Sequence, residues 1–104
     1  MRTSSGEARL LPWTTANGDP CYLLGDGEGT VSRMADRVES AQLSMAGELL
    51  GHAADLLADR RATGAQVHYL ACRLAESLGD VRRVAESRGR RLDDGPGPDD
   101  PAGR

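Results

Sequence analysis

The chain has 104 residues and a formal net charge of −3, so we expect at most one small domain and no general affinity for polyanions. It contains no Phe, Ile or Lys, and all of its basic side chains are therefore Arg. Its two cysteines, Cys21 and Cys72, are far apart and lack the Cys-x-x-Cys spacing. This favours two free thiols, although the sequence alone leaves a disulfide between them open.

Both ends of the chain are predicted to be disordered. Residues 1–9 are small and polar, and residues 93–104, DDGPGPDDPAGR, form an acidic tail with almost nothing to bury. The N-terminus lacks the apolar run of a signal peptide, and no stretch approaches the roughly 18 apolar residues of a membrane span. We therefore expect a single soluble, cytoplasmic domain over residues 10–92.

Residues 10–24, LLPWTTANGDPCYLL, are predicted to form a β-hairpin. Asn17-Gly18 is typical of a type I′ turn, whose two central residues both need positive φ. A turn centred there pairs Trp13 with Tyr22 on one face. Because a lone hairpin is not stable in water, that face must pack on another element.

Two long helices are predicted to follow, over residues 31–60 and 64–88. Thr63 and Gln66 have the spacing of a capping box at the start of the second helix, and Gly89 is a natural stop at its end. Since only a few residues separate the helices, we expect them to pack antiparallel. The fold class is thus α+β, a β-hairpin followed by a helical hairpin.

The first helix has apolar residues around an unusually wide arc. One stripe consists of Met34, Val38, Ala41, Met45, Leu49 and Leu56, and a second consists of Leu43, Ala46, Leu50, Ala53 and Leu57. The second helix has a single stripe of Val67, Leu70, Ala71, Leu74, Leu78, Val81 and Ala85. One stripe on the second helix can cover only one stripe on the first.

The leucines of the uncovered stripe are the predicted partner-binding residues, namely Leu43, Leu50 and Leu57. At about 1.5 Å per residue the hairpin is expected to reach Leu43 but not Leu57. An exposed apolar strip usually marks an interface, so we expect a homodimer of four helices or another protein partner. The alternative is that these leucines are scattered surface apolar residues of a monomer.

Five arginines lie in VRRVAESRGRRL, residues 81–92, and raise the question of nucleic-acid binding through Arg82, Arg83, Arg90 and Arg91. Arg82, Arg83, Arg88 and Arg91 point in four different directions around a helix, and Arg90 follows the expected stop at Gly89. Carboxylates also accompany the arginines at helical spacing, such as Glu86 four residues after Arg82. A solvated helix end is therefore favoured. Nucleic-acid binding is the alternative function, and an acidic protein partner is also open.

No catalytic, metal or cofactor site is predicted. Glu48, His52 and Asp55 share a helix face, but only one of them is His and no cysteine is near. No histidine is placed beside either cysteine to activate a nucleophile. A fold this small is expected to have no sizeable pocket, so we predict neither an enzyme nor a small-molecule substrate. Membrane binding is not expected either, because the polar face of the first helix carries Asp and Glu.

The segment from Trp13 to Leu92 includes NGDPCYL, GDGEGTVSRMADRVE, AGELLGHA and LAESLGDVRRVAESRGRRL. It resembles small uncharacterised proteins of high-GC Gram-positive bacteria, which we associate with gene neighbourhoods of helix-turn-helix regulators. The resemblance covers most of the chain and includes no catalytic motif. It therefore implies an accessory role in regulation and transfers no activity.

Overall fold

The computed structural model describes residues 8–25 and 29–93. Two antiparallel strands, β1 (Arg9–Thr14) and β2 (Pro20–Leu23), precede two long helices, α1 (Thr30–Ala58) and α2 (Gly64–Asp93). This confirms the predicted α+β fold of a β-hairpin followed by a helical hairpin. The predictions of disorder for residues 1–7 and of an acidic tail over residues 94–104 lie outside the described residues.

The predicted turn type and strand register of the hairpin are wrong. The Gly18 N–H donates to the Thr15 carbonyl, and only Gly18 in this turn has a positive φ, of 88°. A three-residue loop with one left-handed glycine therefore replaces the two-residue type I′ turn. Thr14 pairs with Pro20, and an irregularity then brings Leu10 opposite Tyr22, where the prediction had placed Trp13.

The disorder predicted for the end of segment 1–9 is also wrong at Arg9. This residue begins β1, pairs with Leu23, and has a buried side chain. An arginine among small polar residues gives no sign of burial in the sequence. Its burial depends on carboxylates and a hydroxyl that α1 supplies from far along the chain.

The start of α2 confirms the predicted capping box. The Thr63 N–H donates to Gln66 Oε1 at 2.8 Å, and the Gln66 N–H donates to Thr63 Oγ1 at 3.1 Å. These reciprocal bonds satisfy backbone donors that have no partner inside the helix. Together with the short link from Asp59 to Thr63 they fix where the chain reverses direction.

The predicted end of the second helix at Arg88 is wrong, because α2 continues through Gly89 to Asp93. A glycine can end a helix, but it does not have to when the following turn gains contacts elsewhere. Here Arg88 and Arg91 both approach the Glu39 carboxylate of α1, at 3.5 Å. The ion pairs with this shared carboxylate stabilise one more turn of helix.

The two helices pack along a seam that does not follow any one of the three predicted apolar stripes. On α1 all of the buried and half-buried residues except Val38 recur at alternating steps of three and four, as Ser32, Ala35, Glu39, Gln42, Ala46, Leu49, Ala53 and Leu56. On α2 the same spacing gives Leu70, Arg73, Ser77, Asp80, Val84 and Ser87. This is the heptad pattern of a left-handed helix pair, with several small or polar residues at its a and d positions. The expectation that the apolar stripe of the second helix covers the first is wrong, since of that stripe only Leu70 lies in the seam.

The helix pair has two distinct sides. On each helix, the residue before an a position lies on one side of the seam and the residue after a d position lies on the other side. Because the helices are antiparallel, the residues before a positions of both helices are on the same side of the pair, and so are the residues after d positions. The hairpin occupies the first side, which we call the front. There Gln42 Nε2 donates to the Pro12 carbonyl at 3.0 Å, and the Arg90 guanidinium lies 5.3 Å from the centre of the Tyr22 ring. The opposite side is the back face.

Candidate functional site

The predicted partner-binding leucines all lie on the back face. Leu43, Leu50 and Leu57 are 36, 64 and 69% exposed, and they follow the d positions Gln42, Leu49 and Leu56. The expectation that the hairpin shields Leu43 is wrong, because the hairpin packs on the front.

The second helix contributes a matching row to the same back face. Val67 is exposed, while Leu74 and Val81 are half-buried, and all three occupy the corresponding heptad positions of α2. The back face is therefore the six apolar residues Leu43, Leu50, Leu57, Val67, Leu74 and Val81. The same rows continue with Asp36 on α1 and Arg88 on α2, so the apolar surface ends in charge at the hairpin end of the molecule.

A groove lies on the front, in the half of the helix pair that the hairpin leaves open. It encloses about 860 Å³ between α1 and α2, which contradicts the expectation that the fold has no sizeable pocket. Its apolar lining consists of Met45, Leu49, Leu56, Ala65, Tyr69 and Leu70. None of the six back-face residues lines it, in agreement with the assignment of the two sides.

The groove is bordered by an excess of negative charge. Its acidic lining residues are Glu48, Asp55, Asp59, Glu76 and Asp80, against Arg73 as its basic one. Arg73 pairs with Glu76 at 2.9 Å, and Asp80 pairs with Arg83 at 2.6 Å. Within residues 8–25 and 29–93, neither Glu48 nor Asp55 has a basic side chain at ion-pair distance.

A buried ionic cluster joins the hairpin to both helices. Glu39 is 1% exposed and Arg9 is 7% exposed, and Arg9 Nη2 lies 3.2 Å from Glu39 Oε2. The same Arg9 nitrogen donates to Asp36 Oδ1 at 2.8 Å. From α2, Arg88 and Arg91 approach the other oxygen of Glu39. One carboxylate therefore holds three elements together.

Two buried serines complete this cluster. Ser32 Oγ accepts a hydrogen bond from Arg9 Nη1 at 2.8 Å, and Ser87 Oγ donates to the Leu10 carbonyl at 2.8 Å. None of the residues of this cluster except Arg91, which was a candidate for nucleic-acid binding, was predicted from the sequence. The available signal was their regular spacing, because Ser32 and Glu39 are seven residues apart on α1 and share one line with Ala46 and Ala53.

The four arginines of the nucleic-acid hypothesis are not brought together on one surface. Arg82 pairs with Glu86 at 3.3 Å, and Arg83 pairs with Asp80. Arg90 lies over Tyr22, and Arg91 turns toward Glu39. Each of the four thus has a partner within the chain, and of the four only Arg83 and Arg90, seven residues apart, lie on the same side of α2.

Two polar groups remain as candidates, namely the Cys72 thiol beside His68 and the helix face with His52 that was considered for metal binding. Both cysteines are free, and Cys72 Sγ lies 3.6 Å from His68 Nε2 at an exposed position. The statement that no histidine lies beside a cysteine is therefore wrong, and the i, i+4 spacing was the signal. His52 lines the groove, and no group of three or more His, Cys, Asp or Glu among the described residues could hold a metal ion.

Comparison of the chain with protein-family models, with curated proteins and with solved structures gives no significant match. Over the ranges 8–25 and 29–93, neither helix combines the length and the apolar character needed to cross a bilayer.

Proposed function

We propose that this protein is a protein–protein interaction module that forms a homodimer through the back face. The observation that carries the proposal is the exposed row of Leu43, Leu50 and Leu57 on the side of the helix pair away from the hairpin. Leucines at seven-residue spacing beside a helical seam are the contacts from which four-helix bundles are built.

The size of the back face supports this proposal. From Leu43 to Leu57 the row is about 21 Å long, and two packed helices are about 20 Å wide, so the back face can present an apolar patch of at most about 400 Å². Patches of this size on a small protein are commonly functional. Because all six of its residues are uncharged, two copies can meet there without burying an unpaired charge.

The dimer is proposed to have an accessory, regulatory role in the cytoplasm. Free thiols such as those of Cys21 and Cys72 are the rule in that compartment. A bundle formed through the back face leaves the front of each copy open, so that the dimer presents two identical front surfaces to other molecules.

The oligomeric state of the pure protein tests the proposal. Light scattering after size exclusion, at tens of micromolar, should give a dimer, and Leu50→Asp/Leu57→Asp should give a folded monomer. The matched control, Met34→Asp/Met45→Asp, places the same charges on exposed positions on the other side of α1 and should remain a dimer. A monomeric wild type, or a double leucine variant that stays dimeric, contradicts the proposal.

A further inference from the structure

We propose that the front groove is the docking site for a cationic amphipathic helix of another protein. This goes beyond the homodimer, because the groove and the back face lie on opposite sides of the helix pair. The partner is defined by its chemistry as a helix with an apolar stripe flanked by Lys or Arg.

The shape of the groove fits a helix. Its lining runs from Gln42 on α1 to Asp59, which directly follows the helix, and at about 1.5 Å per residue this is a length of about 26 Å, or about five turns. On α2 it runs from Ala65 to Asp80. A groove between two helices that lie side by side has a shape that a third helix can fill. A small ligand would leave most of this length open.

The groove offers a partner an apolar contact surface. Leu49, Leu56 and Leu70 lie at seam positions and form its floor, while Met45 and Tyr69 stand at its sides. Met45 and Tyr69 are exposed, and nothing in the described chain covers them. A helix laid here would add a third layer of heptad contacts to the existing pair.

The charges around the groove select the sign of the partner. Glu48 and Asp55 follow each other at seven residues along α1 and have no basic partner in the described chain. Across the groove, Glu76 forms an ion pair with Arg73, which is the basic residue of the lining, so the net charge of the lining is negative. A bound helix with Lys or Arg at seven-residue spacing would meet Glu48 and Asp55 in register, whereas an acidic helix would be repelled.

The test uses the full chain and two labelled peptides. One is an amphipathic helix of about 18 residues with leucines at a and d and lysines at e and g, matched to the length of the groove. The other has glutamates in place of the lysines. Binding is measured by fluorescence anisotropy at low and at high salt. The groove variant is Glu48→Lys/Asp55→Lys, and its control is Asp19→Lys/Glu86→Lys, which changes the net charge equally outside the groove.

The lysine peptide should bind the wild type at least about tenfold more tightly than the glutamate peptide, and the groove variant should lose about tenfold while the control keeps its affinity. Leu50→Asp/Leu57→Asp should bind as the wild type does, so that a failure of the homodimer leaves this result intact. Equal losses in the groove variant and its control, or no binding of the lysine peptide, overturn the proposal. It is also overturned if the groove variant, and not the leucine variant, dissociates a dimer, because the occupant is then a second copy.

Discussion

Arg9 in β1 and Glu39 in α1 lie 3.2 Å apart, and both are buried. The pair connects the first strand to the first third of α1, and Arg88 and Arg91 extend the connection to the last turns of α2. Burying two charges is costly unless they neutralise each other, so each member of the pair depends on the other. The position of the hairpin on the helices is therefore set by charge as well as by Leu10 and Leu11.

Glu39→Gln should lower the free energy of unfolding by up to about 3–5 kcal/mol, because it removes the buried counter-charge of Arg9 and leaves only the largely exposed Asp36. Urea denaturation followed by circular dichroism measures this. The control is Glu86→Gln, which removes an exposed ion pair with Arg82 and should cost less than about 1 kcal/mol. Equal losses in the two variants would show that the Glu39 cluster does not hold the fold.

A double-mutant cycle separates the charge pair from the packing around it. Arg9→Met and Glu39→Leu should each be strongly destabilising, and the double variant should lose less than the sum of the two, by at least about 1 kcal/mol. The reason is that the double variant leaves neither buried charge unpaired, while Arg88 and Arg91 are half exposed and can return to water. Strict additivity would mean that Arg9 and Glu39 do not interact in solution.

Ser87→Ala should lower the free energy of unfolding by about 1–3 kcal/mol, although Ala favours a helix. The buried Ser87 hydroxyl donates to the Leu10 carbonyl, and Arg91 in turn donates to Ser87 Oγ. Ser44→Ala on the exposed side of α1 is the control and should be neutral or slightly stabilising. A neutral Ser87→Ala would show that the hairpin docks without this bond.

The elements and their order could be predicted from the sequence because they depend on local signals. The reciprocal bonds of Thr63 and Gln66 involve residues three apart, and the ion pair of Arg82 with Glu86 spans one helical turn. All of them were foreseen. The strand register was not, because one extra residue in the loop that ends at Gly18 shifts every pair that follows.

The candidate surfaces could be predicted only in part. Leu50 and Leu57 were expected to be exposed, and they are, but the seam was sought among apolar residues, whereas it contains Ser32, Glu39 and Gln42. These polar residues are tolerated there because the hairpin and the end of α2 bring them partners from distant positions. The groove was missed for the same reason, since the extent of the hairpin over the front depends on Arg9 and Ser87.

Two glycine-to-alanine substitutions should change the free energy of unfolding in opposite directions. Gly89 lies inside α2 with open space where a side chain would be, so Gly89→Ala should raise the free energy of unfolding by about 1 kcal/mol. Gly18 has a φ of 88°, so Gly18→Ala should lower it by about 1–2 kcal/mol despite equally open surroundings. Thermal denaturation of the two variants compares them directly. If Gly89→Ala is destabilising instead, α2 ends before this residue, as the sequence had first indicated.

The capping box should control how the second helix begins. Thr63→Ala removes the acceptor of the Gln66 N–H and should cost about 1 kcal/mol, and Gln66→Ala removes the acceptor of the Thr63 N–H and should cost less. Hydrogen exchange should then show faster exchange of the amides in the first turn of α2, with little change beyond Leu70, which is buried in the seam.

Because Ala65, Gln66 and Tyr69 line the open end of the groove, fraying of this turn should also weaken binding of the lysine peptide. Unchanged peptide affinity in a Thr63→Ala variant with a frayed first turn would restrict the docking site to the part of the groove nearer the hairpin.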